Sequence, residues 1–89
     1  MLVLPITDNA RKYGYIYWVS SMDTEVLKAL GGIEKVEVRF NDLVLGERNV
    51  DWKYRRISVG PKWTKALPKD CTIFELELIS GNILTVRGR

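Results

Sequence analysis

The sequence predicts a mainly β, α+β domain, closed as a small barrel from two strand-helix-hairpin repeats. Three observations carry that reading. The segments "KVEVRF" (35–40) and "TIFELELI" (72–79) alternate apolar and polar residues, the period of a half-buried strand. Each is followed by a turn, Asn41-Asp42 or Ser80-Gly81-Asn82, and then by a second apolar run, "LVLG" or "ILTVRG". That pairing reads as two hairpins. Finally, each hairpin is preceded by a further strand and a short helix, so the order of elements occurs twice.

In chain order, residues 2–6 read as a short strand, with Pro5 marking an edge or a strand end. Thr7 to Ala10 read as a turn. Residues 13–19 read as an aromatic strand that sets Tyr13, Tyr15 and Tyr17 on one face and Gly14, Ile16 and Trp18 on the other. Ser20-Ser21-Met22-Asp23 leads into a helix, with Asp23 or Ser21 as its N-cap. Val26, Leu27 and Leu30 share a helical face, and Gly31-Gly32 ends the helix. Residues 34–40 form the first hairpin strand, with Val36, Val38 and Phe40 inward, and "LVLG" returns. Residues 52–59, "WKYRRISV", read as the strand that opens the second half. Gly60-Pro61 starts a short helix with Pro61 in its first turn, and Pro68 stops it. In the second hairpin Phe74, Leu76 and Leu78 point inward.

The two halves, approximately 14–46 and 55–86, align around Lys28-Ala29-Leu30 and Lys65-Ala66-Leu67. Neither closes a core alone; together they do, as one domain spanning 1–89. With 89 residues, 46% hydrophobic and 28% charged, the composition is that of a globular domain. A chain this short buries only ~60–65% of its unfolded surface, so a homodimer stays open on size alone. Met1-Leu2-Val3-Leu4 is broken by Pro5 and has no basic leader. No run reaches ~18 apolar residues, so the expected setting is cytoplasmic, without a membrane.

Cys71 is the only cysteine and there is no histidine. An intramolecular disulfide, a Cys/His zinc site and a histidine-based triad are excluded within one chain. Asp8, Asp23, Asp42, Asp51 and Asp70 fall where turns and caps need them, and Glu75 and Glu77 share a strand face as solvated charges. The expectation is a binding protein rather than an enzyme, with no metal and no cofactor.

Charge is unevenly spread. Between Arg48 and Lys69 stand seven basic residues against Asp51 alone, a surplus of 7 − 1 = +6 in a chain whose total is +3. Such a segment suits an anionic partner. Arg55 and Arg56, read as strand neighbours, point to opposite faces and can reach phosphate or a guanine edge. Trp52 and Trp63 flank them as residues that close the core. The tyrosine row can stack bases or meet a protein. The candidate nucleic-acid-binding set is Lys12, Tyr13, Tyr15, Lys53, Arg55, Arg56, Lys62 and Lys65, and Tyr13, Tyr15 and Tyr17 form the candidate protein-binding face.

The stretch "RRISVGPKWTKALPKDCTIFELELISGNILTVRG" resembles the swapped-hairpin unit of the AbrB-like DNA-binding domains. Arg55, Arg56, Ile57 and Val59 match its basic strand. Pro61 matches its helix start, Leu67 the helix end, and Phe74, Leu76 and Leu78 its hairpin. The first half matches less well, with "GYIYWV" in place of the basic strand and no proline before its helix. The resemblance implies a pseudo-dimer in one chain that binds duplex DNA in a regulatory or antitoxin-like role. Separately, Lys12-Tyr13-Gly14-Tyr15-Ile16 is similar to the aromatic strand of cold-shock domains, which implies a single-strand binder. It departs from that pattern in having a tyrosine before Gly14.

Cys71 has no adjacent basic residue to hold a thiolate. Replacing Cys71 with Ser is expected to leave the melting curve and any binding nearly unchanged. A binding titration and a thermal melt check this, and a loss beyond about tenfold would show a role for the thiol.

Overall fold

Period-two burial organises most of the strands. In the computed structural model, which describes residues 1–89, seven strands and three helices form. They are β1 (Leu2–Pro5), α1 (Asp8–Tyr13), β2 (Tyr15–Tyr17), α2 (Asp23–Leu30), β3 (Lys35–Phe40), β4 (Leu43–Asp51), β5 (Arg56–Ser58), α3 (Pro61–Lys65), β6 (Ile73–Ser80) and β7 (Ile83–Gly88). A 3₁₀ turn, Ser20–Met22, precedes α2. The strands run in the order β1-β6-β7-β3-β4-β5-β2 and curl into a nearly closed barrel. Every neighbouring pair is antiparallel except β3 with β7.

Alternate residues of the strands fill the interior, Leu2 and Leu4, Ile16, Val36, Val38 and Phe40, Ile57, Phe74 and Leu76, Leu84 and Val86, except in β4, which gives only Val50. Phe40 and Phe74 meet edge-on at 6.2 Å between centroids, a contact worth about 0.5–1.5 kcal/mol beyond the area it buries. Val26 and Leu30 of α2 complete the core. Asn41 and Asp42, at φ 45° and 70°, make the left-handed two-residue turn that a tight hairpin needs. Each hairpin carries one irregularity, at Val38/Arg39 and at Leu78/Ser80, and a bulge of this kind bends a strand.

Strand, helix and hairpin do follow each other twice. The sheet, however, surrounds the two hairpins differently. β3 lies between β4 and β7, whereas β6 lies between β7 and β1. The hairpin strand β4 continues into pairing with β5, while β7 does not pair with β2.

Several local expectations are corrected. The turn at Thr7 and the strand start at Tyr13 are replaced by α1. Thr7 Oγ1 accepts from the Ala10 amide at 3.1 Å as N-cap, Asp8 sits in the first turn, and Gly14 at φ 74° closes the C-terminus. β2 is therefore only Tyr15–Tyr17. The return strand "LVLG" runs on to Asp51, and residues 52–55 form a turn instead of a strand. The Asp51 carboxylate stops the strand by accepting from the Tyr54 amide at 2.9 Å. Neither Asp23 nor Ser21 caps α2. Met22 holds the N-cap position and the Asp23 carboxylate turns elsewhere. Leu27 is 54% exposed, because its face of α2 looks away from the sheet.

Two glycines weld the elements around the barrel's short strands. A Cβ on Gly14 would stand 2.1 Å from the carbonyl carbon of Gly60. The Gly14 carbonyl accepts from the amides of Val59 and Gly60, at 2.8 and 3.1 Å. Gly14→Ala combines a forbidden contact with a left-handed backbone. It is expected to cost at least about 2 kcal/mol of stability, read as the shift in the chemical denaturation midpoint.

Candidate functional site

The site is built where β2 meets β5. Their register places Tyr17 opposite Arg56 and Tyr15 opposite Ser58, so the outer faces of both strands form one surface. Gly14, Ile16 and Trp18 are buried beneath it, which is the division of faces expected from the alternation. Tyr13 reaches the same surface from the last residue of α1. Its ring lies 6.2 Å from that of Tyr15, with 29° between their planes. Tyr17 is anchored through its hydroxyl, which hydrogen-bonds Thr7 Oγ1, the N-cap of α1.

Arg56 stands among these rings. Its guanidinium carbon is 4.5 Å from the centre of the Tyr15 ring and 5.2 Å from that of Tyr54. Asn9, Tyr13, Tyr15, Tyr17, Tyr54 and Arg56 line a shallow depression of about 380 Å³. Arg56 is its one cation and pairs with no carboxylate. Lys12 and Lys53 stand beside it, their ammonium groups 5.3 Å from the Tyr13 ring centre and 5.4 Å from that of Tyr54. Tyr13 and Tyr54 are 51% and 61% exposed, so both retain ring surface for a ligand.

Arg55, one residue away, is committed elsewhere. It does not share the strand with Arg56. It closes the turn at φ 56°, a left-handed conformation for a residue with a side chain. Its Nε and Nη2 donate to both carboxylate oxygens of Asp23, at 2.9, 3.2 and 3.1 Å. Asp23 also accepts from Trp18 Nε1 at 2.9 Å. The Arg55 hydrogen bonds first, then that from Trp18, hold the Asp23 carboxyl below its ordinary pKa, and Asp23 in turn raises that of Arg55.

The structure thus joins Lys12, Tyr13, Tyr15, Lys53 and Arg56 of the expected set at one surface. It takes Arg55 out into an ion pair. Lys62 and Lys65 stand on α3, which packs against α1, and Lys62 covers the Trp63 ring at 5.1 Å rather than lining the depression. Trp52 and Trp63 pack against the core as expected, Trp52 edge-on to Trp18 at 5.6 Å. Tyr54 and Asn9 were missed by the sequence reading. Tyr54 lies in the turn at residues 52–55, where strand spacing gives no signal of the face it joins.

A larger groove of about 500 Å³ runs between β1 and α2, but it is chiefly apolar and presents no aromatic ring. No three side chains of the types that bind metals converge anywhere. No helix is long and apolar enough to cross a membrane. Comparison with family models, with curated proteins and with solved structures finds no match for this chain. The class of protein that fold and surface define is thus a small β-barrel carrying one cationic aromatic patch.

Because the folded-state pKa of Asp23 is depressed, its contribution is fully present above the unfolded value, near 3.8, and is lost as pH falls through the lower folded value. Thermal melts of the wild type are expected to weaken progressively below about pH 3.8. Asp23→Asn removes that part of the acid dependence. Parallel pH series on the two proteins measure the difference.

Proposed function

We propose that this protein binds single-stranded nucleic acid through the depression around Arg56. Bases would stack on Tyr13 and Tyr54, and phosphates would lie at Lys12 and Lys53. One observation carries this reading: Arg56, from the basic segment, stands inside the tyrosine surface and has no acidic partner. Aromatic rings that retain exposed surface, beside cations, are what sequence-tolerant single-strand binding uses. A regulatory role through duplex DNA is the competing reading. It rests on the resemblance to AbrB-like domains, and it needs a phosphate-tracking pair at Arg55 and Arg56. The Asp23–Arg55 pair argues against it, because the Asp23 carboxylate already compensates that charge and takes the Nε and Nη2 donors.

A titration of labelled single strand and duplex at about 50 mM salt tests this, with single strand expected to bind more tightly. Tyr13→Ala and Tyr54→Ala are each expected to weaken single-strand binding by about 1–3 kcal/mol, or roughly 5- to 150-fold. Two phosphate contacts on a single strand imply a logarithmic salt slope of about −1.4. The duplex reading, with four or five contacts, implies about −4. If neither nucleic acid binds below roughly 100 μM, the surface is a protein interface instead.

A further inference from the structure

We infer that Arg56 determines the base preference of this site by reading the paired acceptors N7 and O6 of an unpaired guanine. The inference rests on the single-strand reading above and adds to it a preferred base. It starts from what surrounds the guanidinium. Aromatic rings stand against it at 4.5 and 5.2 Å, and no carboxylate pairs with it. What remains to be used is its edge, a fork of N–H donors with no acceptor among them.

A phosphate is the obvious partner for such a fork, but the depression does not suit one. Its lining is four tyrosines, Asn9 and Arg56, with no second cation inside. A phosphate there would lose water to mostly aromatic surface while meeting a single countercharge. The two lysines that would neutralise it lie against Tyr13 and Tyr54 and do not line the depression. Phosphates at those lysines leave the interior to a flat, neutral group. A base stacked on Tyr13 is such a group. The Tyr13 and Tyr15 rings are inclined by 29° with centroids 6.2 Å apart, and the Arg56 guanidinium lies 4.5 Å from the Tyr15 centre, so a base on Tyr13 would bring its edge within reach of the fork.

The donor-only fork then selects the base. Guanine presents two adjacent acceptors, N7 and O6. Adenine sets its amino group beside N7, and thymine or uracil sets a ring N–H beside each carbonyl. Cytosine offers N3 and O2 as a pair, on a smaller ring that stacks less well. The expected order is guanine, then cytosine, then adenine and thymine.

Labelled dT octamers with two central positions replaced by guanine, 7-deazaguanine, cytosine or adenine test this by fluorescence anisotropy. Guanine is expected to bind about tenfold more tightly than adenine, with cytosine between them. The 7-deaza analogue, which lacks N7, falls to the level of adenine. Arg56→Lys keeps the charge and loses the fork. It is expected to bring all four within about twofold while the melting temperature stays unchanged. Tight single-strand binding in which guanine and its 7-deaza analogue are equivalent overturns the base preference and leaves the single-strand reading standing. Failure of every octamer to bind overturns both.

Discussion

The contact between Gly14 and Gly60 is the constraint on which the rest of this molecule depends. At 2.1 Å from the Gly60 carbonyl carbon there is no room for a Cβ on residue 14. That closeness lets one carbonyl, that of Gly14, take the amides of both Val59 and Gly60. Gly14 therefore ends α1, starts β2, holds β5 in register and fixes the entry to α3. The junction is reinforced from the helical side. Thr64 Oγ1 donates to the Arg11 carbonyl at 2.7 Å, and the Arg11 guanidinium donates to the carbonyls of Leu67, Pro68 and Cys71. Tyr13 and Tyr15 are the residues on either side of Gly14, so their ring-to-ring placement follows from how tightly the backbones approach.

Arg55 and Arg56 show how a local backbone decision separates two identical side chains. A continuous strand from residue 52 to 59 would send them to opposite faces as equals. The left-handed φ at Arg55 instead ends the turn, gives Arg55 to Asp23, and lets β5 begin at Arg56. The first is neutralised at an exposed ion pair. The second has no carboxylate partner and lies against aromatic rings instead.

Much of the fold was legible because alternation is a strong signal. Both hairpins, their turns and their inward residues appear where "KVEVRF" and "TIFELELI" place them. Gly31 ends α2, and Pro61 opens α3. Less was legible where two signals overlapped. "TDNARKYGYIYW" carries a helix start at Thr7 and a left-handed stop at Gly14, but the period-two run of tyrosines extended the strand back over Tyr13. The parallel pairing of β3 with β7 had no local signature at all, since it joins residues 46 apart, as in Glu37 with Ile83. In the site, the alternation chose the correct outward face of β2. Tyr54 was hidden because its turn is set by Asp51 and by the conformation of Arg55, neither of which the hydrophobic pattern reveals.

The walls of the depression are held by capping interactions as well as by the packing of Tyr17 on the core. On one side, Thr7 caps α1 with the same hydroxyl that engages Tyr17, so the helix carrying Tyr13 and the strand carrying Tyr15 and Tyr17 share an anchor. On the other, Asp51 takes the Tyr54 amide while Asp23 fixes Arg55, and the turn presenting Tyr54 is tied at both ends. A ligand meeting such a surface finds Tyr17 and the Tyr54 turn already placed. Less conformational entropy is then lost on association, so the stacking and edge contacts of a short segment count more fully toward affinity. Tyr13 and Tyr54 thus stay exposed beside Tyr15 and Tyr17, which are half-buried, with Tyr17 packed against the core.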